Sequence, residues 1–174
     1  MRRQTELQVV GPRALRIESY YSENTEGQAT AESVWLLSGS RKVALETPAL
    51  VADLPFTLDR FAIAPNADFI FGSRKVVAGE SEMFLWVRQK DKSYKLLPET
   101  VNQWIVRRTK STHKGKEITF VRLVRWLNGG NGVALSSLYF DGRKNLWHMR
   151  EIDLVRGKFG PERAISESKL TFLI

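Results

Sequence analysis

The densest group of side chains able to do chemistry is basic. Arg107, Arg108, Lys110, His113, Lys114 and Lys116 fall close together, and Arg122 and Arg125 follow shortly after. Cations at this density can grip a phosphate backbone, with each neutralised phosphate adding salt-dependent affinity. Trp104 and Trp126 flank the cluster and could stack on bases. Both lie within apolar runs, however, where burial is the ordinary fate of a tryptophan. Lysine at hairpin tips also has a simpler use, which is to stop sheets from pairing edge to edge.

Other constellations are weaker. His113 sits among cations that disfavour both its protonation and metal binding, so it reads as a solvated loop residue. His148, beside Trp147, reads as a sheet-surface residue. Neither has the spacing of a metal-ligand motif. No serine stands in Gly-x-Ser-x-Gly, and there is no phosphate-binding or dinucleotide fingerprint. Gly129-Gly130-Asn131-Gly132 lacks the helix and lysine of such a loop and reads as a turn. Asp53 with Asp59, or Glu80 with Glu82, could serve glycoside hydrolysis only at a separation of roughly 5–10 Å, which nearness in sequence does not establish. Cysteine is absent, so disulfides, thiolate nucleophiles and cysteine-ligated zinc are excluded. The sequence therefore predicts no catalytic residue, no metal and no cofactor.

The 174 residues carry a formal charge of +8, with 43% hydrophobic and 26% charged side chains. That is enough apolar material for a core and too much for disorder. The length fits one domain, taken as residues 1–174. A basic balance suits an acidic partner, whether protein, nucleic acid or another polyanion. No apolar run approaches the roughly 18 residues of a membrane-spanning helix. Met1-Arg2-Arg3 is followed by Gln4-Thr5-Glu6 where a signal peptide would turn apolar. No export signal is expected, and the compartment stays open.

The elements that would position these groups are strands. From Arg60 to Pro98, four apolar runs (Phe61–Ala64, Phe69–Gly72, Met83–Val87, Tyr94–Leu97) alternate with turn-forming or charged residues, the pattern of an antiparallel meander. Further strands are predicted at Glu6–Val10, Ala14–Tyr21, Ser33–Ser38, Val101–Arg108, Glu117–Leu127, Val133–Phe140 and Arg143–Asp153. Leu154–Phe159 is expected as an edge strand. Ser22–Glu32 reads as a loop, Ala49–Ala52 as a helical turn, and Pro161–Ser168 as a short helix opened by its proline. The apolar phase of the Glu117–Leu127 strand slips near Phe120-Val121, which predicts a bulge. Asn128–Gly132 is the strongest turn signal, and Asp141-Gly142 predicts a type I′ hairpin turn. Leu170–Ile174 is apolar and should be tied into a sheet. No segment keeps helical periodicity over 12 residues, so the class is all-β, an antiparallel meander of short hairpins.

Gly39-Ser40-Arg41-Lys42-Val43 recurs as Gly72-Ser73-Arg74-Lys75-Val76, each copy after an apolar run. The interval from Phe61 to Trp86 is echoed by that from Leu123 to Trp147. Fixed-spacing self-similarity suggests a repeat architecture. Phe61-Ala62-Ile63-Ala64-Pro65-Asn66-Ala67-Asp68-Phe69-Ile70-Phe71, followed by Phe84-Leu85-Trp86-Val87, resembles a β-propeller blade of the WD40-like and Tol-B-like families. It departs from their pattern at Ala64, Asn66 and Ala67 and in lacking a Trp-Asp pair. The resemblance implies propeller-like blades, with Trp86 and Trp147 in equivalent buried positions. A small β-barrel or β-sandwich built from the same hairpins is the alternative.

Function is read accordingly. The leading expectation is a non-enzymatic module that binds another macromolecule, most simply a protein, through loops and sheet edges. The alternative is polyanion or nucleic-acid binding through the basic loop 107–116, with Arg107, Arg108, Lys110, Lys114, Lys116, Arg122 and Arg125 as its contacts. A hydrolase with an unrecognised site is the third.

Overall fold

The structure, a computed structural model, describes residues 2–10, 12–21, 29–47, 60–75, 81–109 and 118–174. In chain order the first strands are β1 (Arg2–Val10), β2 (Arg13–Tyr21), β3 (Ala29–Ser38), β4 (Arg41–Leu45), β5 (Arg60–Ile63), β6 (Phe69–Lys75), β7 (Ser81–Arg88) and β8 (Tyr94–Leu96). The one α-helix among the described residues, α1 (Val101–Arg108), comes next. It is followed by β9 (Ile118–Leu127), β10 (Gly132–Phe140), β11 (Asn145–Asp153) and the two-residue strands β12 (Lys158–Phe159) and β13 (Arg163–Ala164). The chain is mostly β, the class its turn spacing predicts. The expected helical turn at Ala49–Ala52 lies outside the described residues, as does all of the expected loop up to residue 28; Ala29 onward is strand β3 instead.

The chain divides into two compact units. The first comprises Met1–Leu58 and Trp86–Leu97, the second Asp59–Leu85 and Pro98–Ile174. Strand β7 is divided between them after Leu85.

In the first unit the strand order is β1-β2-β3-β4-β8-β7, antiparallel except where β4 meets β8 at Leu45 and Tyr94. Side chains alternate across a strand, and the register places Leu15 opposite Leu36 and Ile17 opposite Val34. All four are buried, each worth about 1.5–3 kcal/mol relative to exposure. The opposite face carries Leu7, Val9 and Trp35, and Lys42 places its Nζ 3.8 Å from the Trp35 ring centre. Gly39-Ser40 makes the two-residue turn from β3 to β4, with Gly39 at φ 57°.

In the second unit, β5 and β6 form a hairpin through Asn66-Ala67-Asp68, with β7 next in the order β7-β6-β5. The other sheet runs β12-β11-β10-β9, and β13 also pairs with β11. Its register steps twice, leaving Thr119 and Val124 as the extra residues of β9. The predicted bulge is thus present, on either side of the expected site. Leu170–Ile174 is tied in as expected: the main chain of Leu123 accepts from Leu173 (2.8 Å) and donates to Ile174 (3.0 Å). β12 is the edge strand foreseen near Phe159.

The segment Val101–Arg108, expected as a strand, is the helix α1. Thr100 and Gln103 form a capping box: Thr100 Oγ1 accepts from the Gln103 amide (3.4 Å), and Gln103 Oε1 from the Thr100 amide (3.1 Å). The reciprocal cap satisfies two otherwise orphaned donors, and Val101, Trp104 and Ile105 turn to one buried face at helical spacing. These local terms outweigh the β preference of Trp-Ile-Val. The helix expected at Pro161–Ser168 is replaced by β13 and a 3-10 turn at Glu167–Lys169, because the main chain of Arg163 and Ala164 finds partners on β11 instead. The hairpin at Asp141 is not type I′. Only Gly142 takes a positive φ (84°), while Asp141 Oδ1 accepts from the amides of Arg143 and Lys144, both at 2.9 Å.

The five-residue echo does not fold the same way twice. Gly39-Ser40 is a turn, whereas Gly72-Ser73-Arg74 lies inside β6. Trp86 and Trp147 are both buried, yet Trp86 Nε1 donates to the Glu46 carbonyl (2.8 Å) while the Trp147 ring packs on Phe172 at 5.3 Å.

The glycine-rich turn interlocks with the β5–β6 turn. Asn66 Nδ2 donates to Asn131 Oδ1 (2.8 Å), and a Cβ on Gly130, which sits at φ 105°, would stand 2.6 Å from Asn66 Oδ1. Both the backbone and the space demand glycine. Gly130→Ala is expected to lower stability by about 1–3 kcal/mol from backbone strain alone. Urea melts of the two proteins check this, and an unchanged midpoint would contradict it.

Candidate functional site

The second unit holds a small open cleft. Four strands build it. β5 contributes Arg60, β6 Ser73, and β7 Ser81, Glu82 and Met83; β9 contributes Phe120 and Arg122. Arg60 and Ser73 face each other directly across the β5–β6 hairpin, which sets them on one side of it.

The cleft is electropositive for a specific reason. Glu82 has the one acidic side chain among the described residues that line it, which include the chain-terminal Ile174, and Arg74 claims it: Nε lies 3.0 Å and Nη2 2.6 Å from the same Oε2. Arg74 is 3% exposed, with its guanidinium 5.1 Å from the Phe84 ring centre, and its Nη1 has no hydrogen-bond partner. Arg122 is half-buried between the rings of Phe120 and Phe172, at 5.0 and 4.7 Å. Burial, and then the like charge of Arg60, lower the Arg122 pKa. Among the described residues Arg122 has no carboxylate partner.

The seven predicted contacts do not converge on one surface. Lys110, Lys114 and Lys116, like His113, lie outside the described residues. Arg107 and Arg108 are exposed in the last turn of α1, where Arg107 pairs with Glu99. α1 sits on the face of the β9–β12 sheet that carries Ile152, Val133 and Trp126, because Trp104 packs on Phe159 at 5.0 Å and Phe159 pairs with Ile152. Arg122 and Arg125 lie across from Ser136 and Ala134 and project from the opposite face. Arg125 reaches Glu151 at 3.4 Å, a carboxylate also within 3.7 Å of Arg163. Of the two tryptophans that flank the basic cluster in sequence, Trp104 is buried and Trp126 packs against Phe71 at 5.6 Å.

A second polar group is enclosed rather than open. Tyr139 donates its hydroxyl hydrogen to Glu162 Oε1 (2.6 Å), and Arg150 Nη2 lies 3.3 Å from Oε2. His148 Nδ1 is 3.9 Å from Oε1, with its ring edge-on to Tyr139 at 5.4 Å. His148 is therefore buried, not on the sheet surface: Glu162 folds over the face where it stands. These four residues pin the segment around Pro161 to the sheet, and none of them lines the cleft.

Sequence reasoning found Arg122 but not Arg60, Arg74 or Glu82 as its neighbours. Arg74 was hidden in the echoed pentapeptide, where it reads as part of a turn. Among the described residues no group of three or more acidic or histidine side chains is placed to hold a metal ion. No described helix is long and apolar enough to cross a membrane. No protein family, no curated protein and no solved structure matches the chain.

Proposed function

We propose that the chain is a binding module that takes up an extended segment of another, acidic protein along the edge of β1. The observation that carries this reading is β1 itself. It has nine residues and, among the described residues, is paired on one side only, by β2. A strand of that length presents an open row of main-chain donors and acceptors about 30 Å long. Such an edge is the template for strand addition, in which main-chain hydrogen bonds supply affinity and side chains specificity. Leu7 is 56% and Val9 67% exposed, so apolar contacts accompany the edge. The net charge of +8 favours an acidic partner over a second copy of the chain.

The test uses a labelled ten-residue peptide of alternating Val and Glu. Its binding should slow amide exchange along β1. Leu7→Ser with Val9→Ser should weaken it by about tenfold, equivalent to roughly 1.4 kcal/mol, without changing the melt. Two outcomes would overturn the reading. One is an affinity indifferent to these changes and displaced by a random oligonucleotide, which favours the polyanion alternative. The other is self-association of the unliganded protein that the same changes abolish, which makes a second copy the occupant.

A further inference from the structure

We infer that the cleft between β5, β6, β7 and β9 is a binding site for a small phosphate monoester with an apolar or aromatic body. This goes beyond the β1 reading and rests on different residues in the other unit.

Three features of the cleft point the same way. The first is an excess of positive charge. Arg60 and Arg122 both line the cleft, where the charge of Arg60 disfavours that of Arg122, and the only acidic side chain lining it among the described residues is occupied by Arg74. Two guanidinium groups left facing one opening are unfavourable for the empty protein and favourable once an anion bridges them. The Arg74 contact is what keeps the cleft positive, since a free Glu82 would compete with any incoming anion. Arg74 is thus a positioning residue.

The second feature is donor geometry. Arginine offers a planar fork that matches the oxygens of a phosphate, and the hydroxyls of Ser73 and Ser81 line the same space as additional donors. The third is the remaining wall. Met83 and Phe120 give the cleft an apolar side, which inorganic phosphate does not use and an organic phosphate does. Phe120 and Phe172 also brace the Arg122 guanidinium, limiting the side-chain freedom that binding would otherwise have to remove.

Phenyl phosphate is the probe, with inorganic phosphate and a dinucleotide phosphodiester as the arms that distinguish a free ion or a nucleic-acid backbone from a monoester. Titration calorimetry at constant ionic strength, set with chloride, should rank phenyl phosphate above inorganic phosphate and both above the diester. Arg60→Gln and Arg122→Gln should each weaken phenyl phosphate by tenfold or more. Arg122→Lys, which keeps the charge and loses the fork, should weaken it less. Arg107→Gln, on α1, should leave the affinity unchanged. Arg60 is exposed at the end of a strand, so Arg60→Gln decides the matter even if an Arg122 variant misfolds. Affinity unchanged in Arg60→Gln, a response to chloride equal to that to phosphate, or a diester bound more tightly than the monoester would each overturn the assignment.

Discussion

Trp86→Ala should lose about 3–5 kcal/mol of folding free energy, the range for deleting a large aromatic from a core. Against a total stability of roughly 5–15 kcal/mol, that is a large share of the whole. The reason is specific. Trp86 is fully buried, stands opposite Leu96 on β8, and donates its indole hydrogen to the Glu46 carbonyl at 2.8 Å. Glu46 in turn donates its amide to the Tyr94 carbonyl (3.0 Å) and accepts the Leu96 amide on its side chain (2.8 Å). The ring therefore braces the place where β4 and β8 meet with a single pair of register partners. Trp86→Phe separates packing from hydrogen bonding. It keeps an aromatic ring but takes the indole donor from the Glu46 carbonyl, a part-buried bond worth about 0.5–1.5 kcal/mol. Urea titration followed by circular dichroism measures both variants. An alanine variant within 1 kcal/mol of the parent would show that Trp86 does not brace this junction.

The second large effect is expected at Glu162. Its side chain is 4% exposed and faces Arg150 and His148 side chains that are 12% and 11% exposed, along with the Tyr139 hydroxyl. Glu162→Leu removes the carboxylate and leaves the Arg150 guanidinium buried without it, which typically costs about 3–5 kcal/mol. Pairing it with Arg150→Met should recover a large part of the loss, because the stranded charge goes too. The double-mutant cycle reads that coupling directly. Additive losses would show that Arg150 and Glu162 do not act on each other. Tyr139→Phe should cost less, about 1.5–3 kcal/mol, the worth of one hydrogen bond to a charged group.

Period-two alternation and turn chemistry made the sheets readable. Leu15 and Ile17, Asn66–Asp68 and Asn128–Gly132 all behave as their residue types predict. Helix α1 is hidden in the sequence because Trp104-Ile105-Val106 looks like a strand when intrinsic preference alone is weighed. The signal that identifies it, Thr100 and Gln103 three residues apart, is a capping geometry that overrides preference. The site was less legible than the fold. Arg107, Arg108, Arg122 and Arg125 are neighbours in sequence, but a strand sends alternate residues to opposite faces and α1 lies on only one of them. The arginines that do act together, Arg60 and Arg122, come from β5 and β9. These strands belong to different sheets and lie many residues apart in sequence, so no local pattern encodes their nearness.

Each compact unit is assembled from two separated stretches of chain. A nascent polypeptide leaving the ribosome delivers β1 to β4 first, then residues 59–85 that belong elsewhere, and only afterwards Trp86–Leu97, the piece that supplies β8 and the end of β7. The first unit therefore cannot finish while its own amino-terminal portion is emerging; it must wait for Tyr94 to reach Leu45. Contacts of such long sequence separation slow folding, and no single cut in the polypeptide releases either unit as one contiguous fragment.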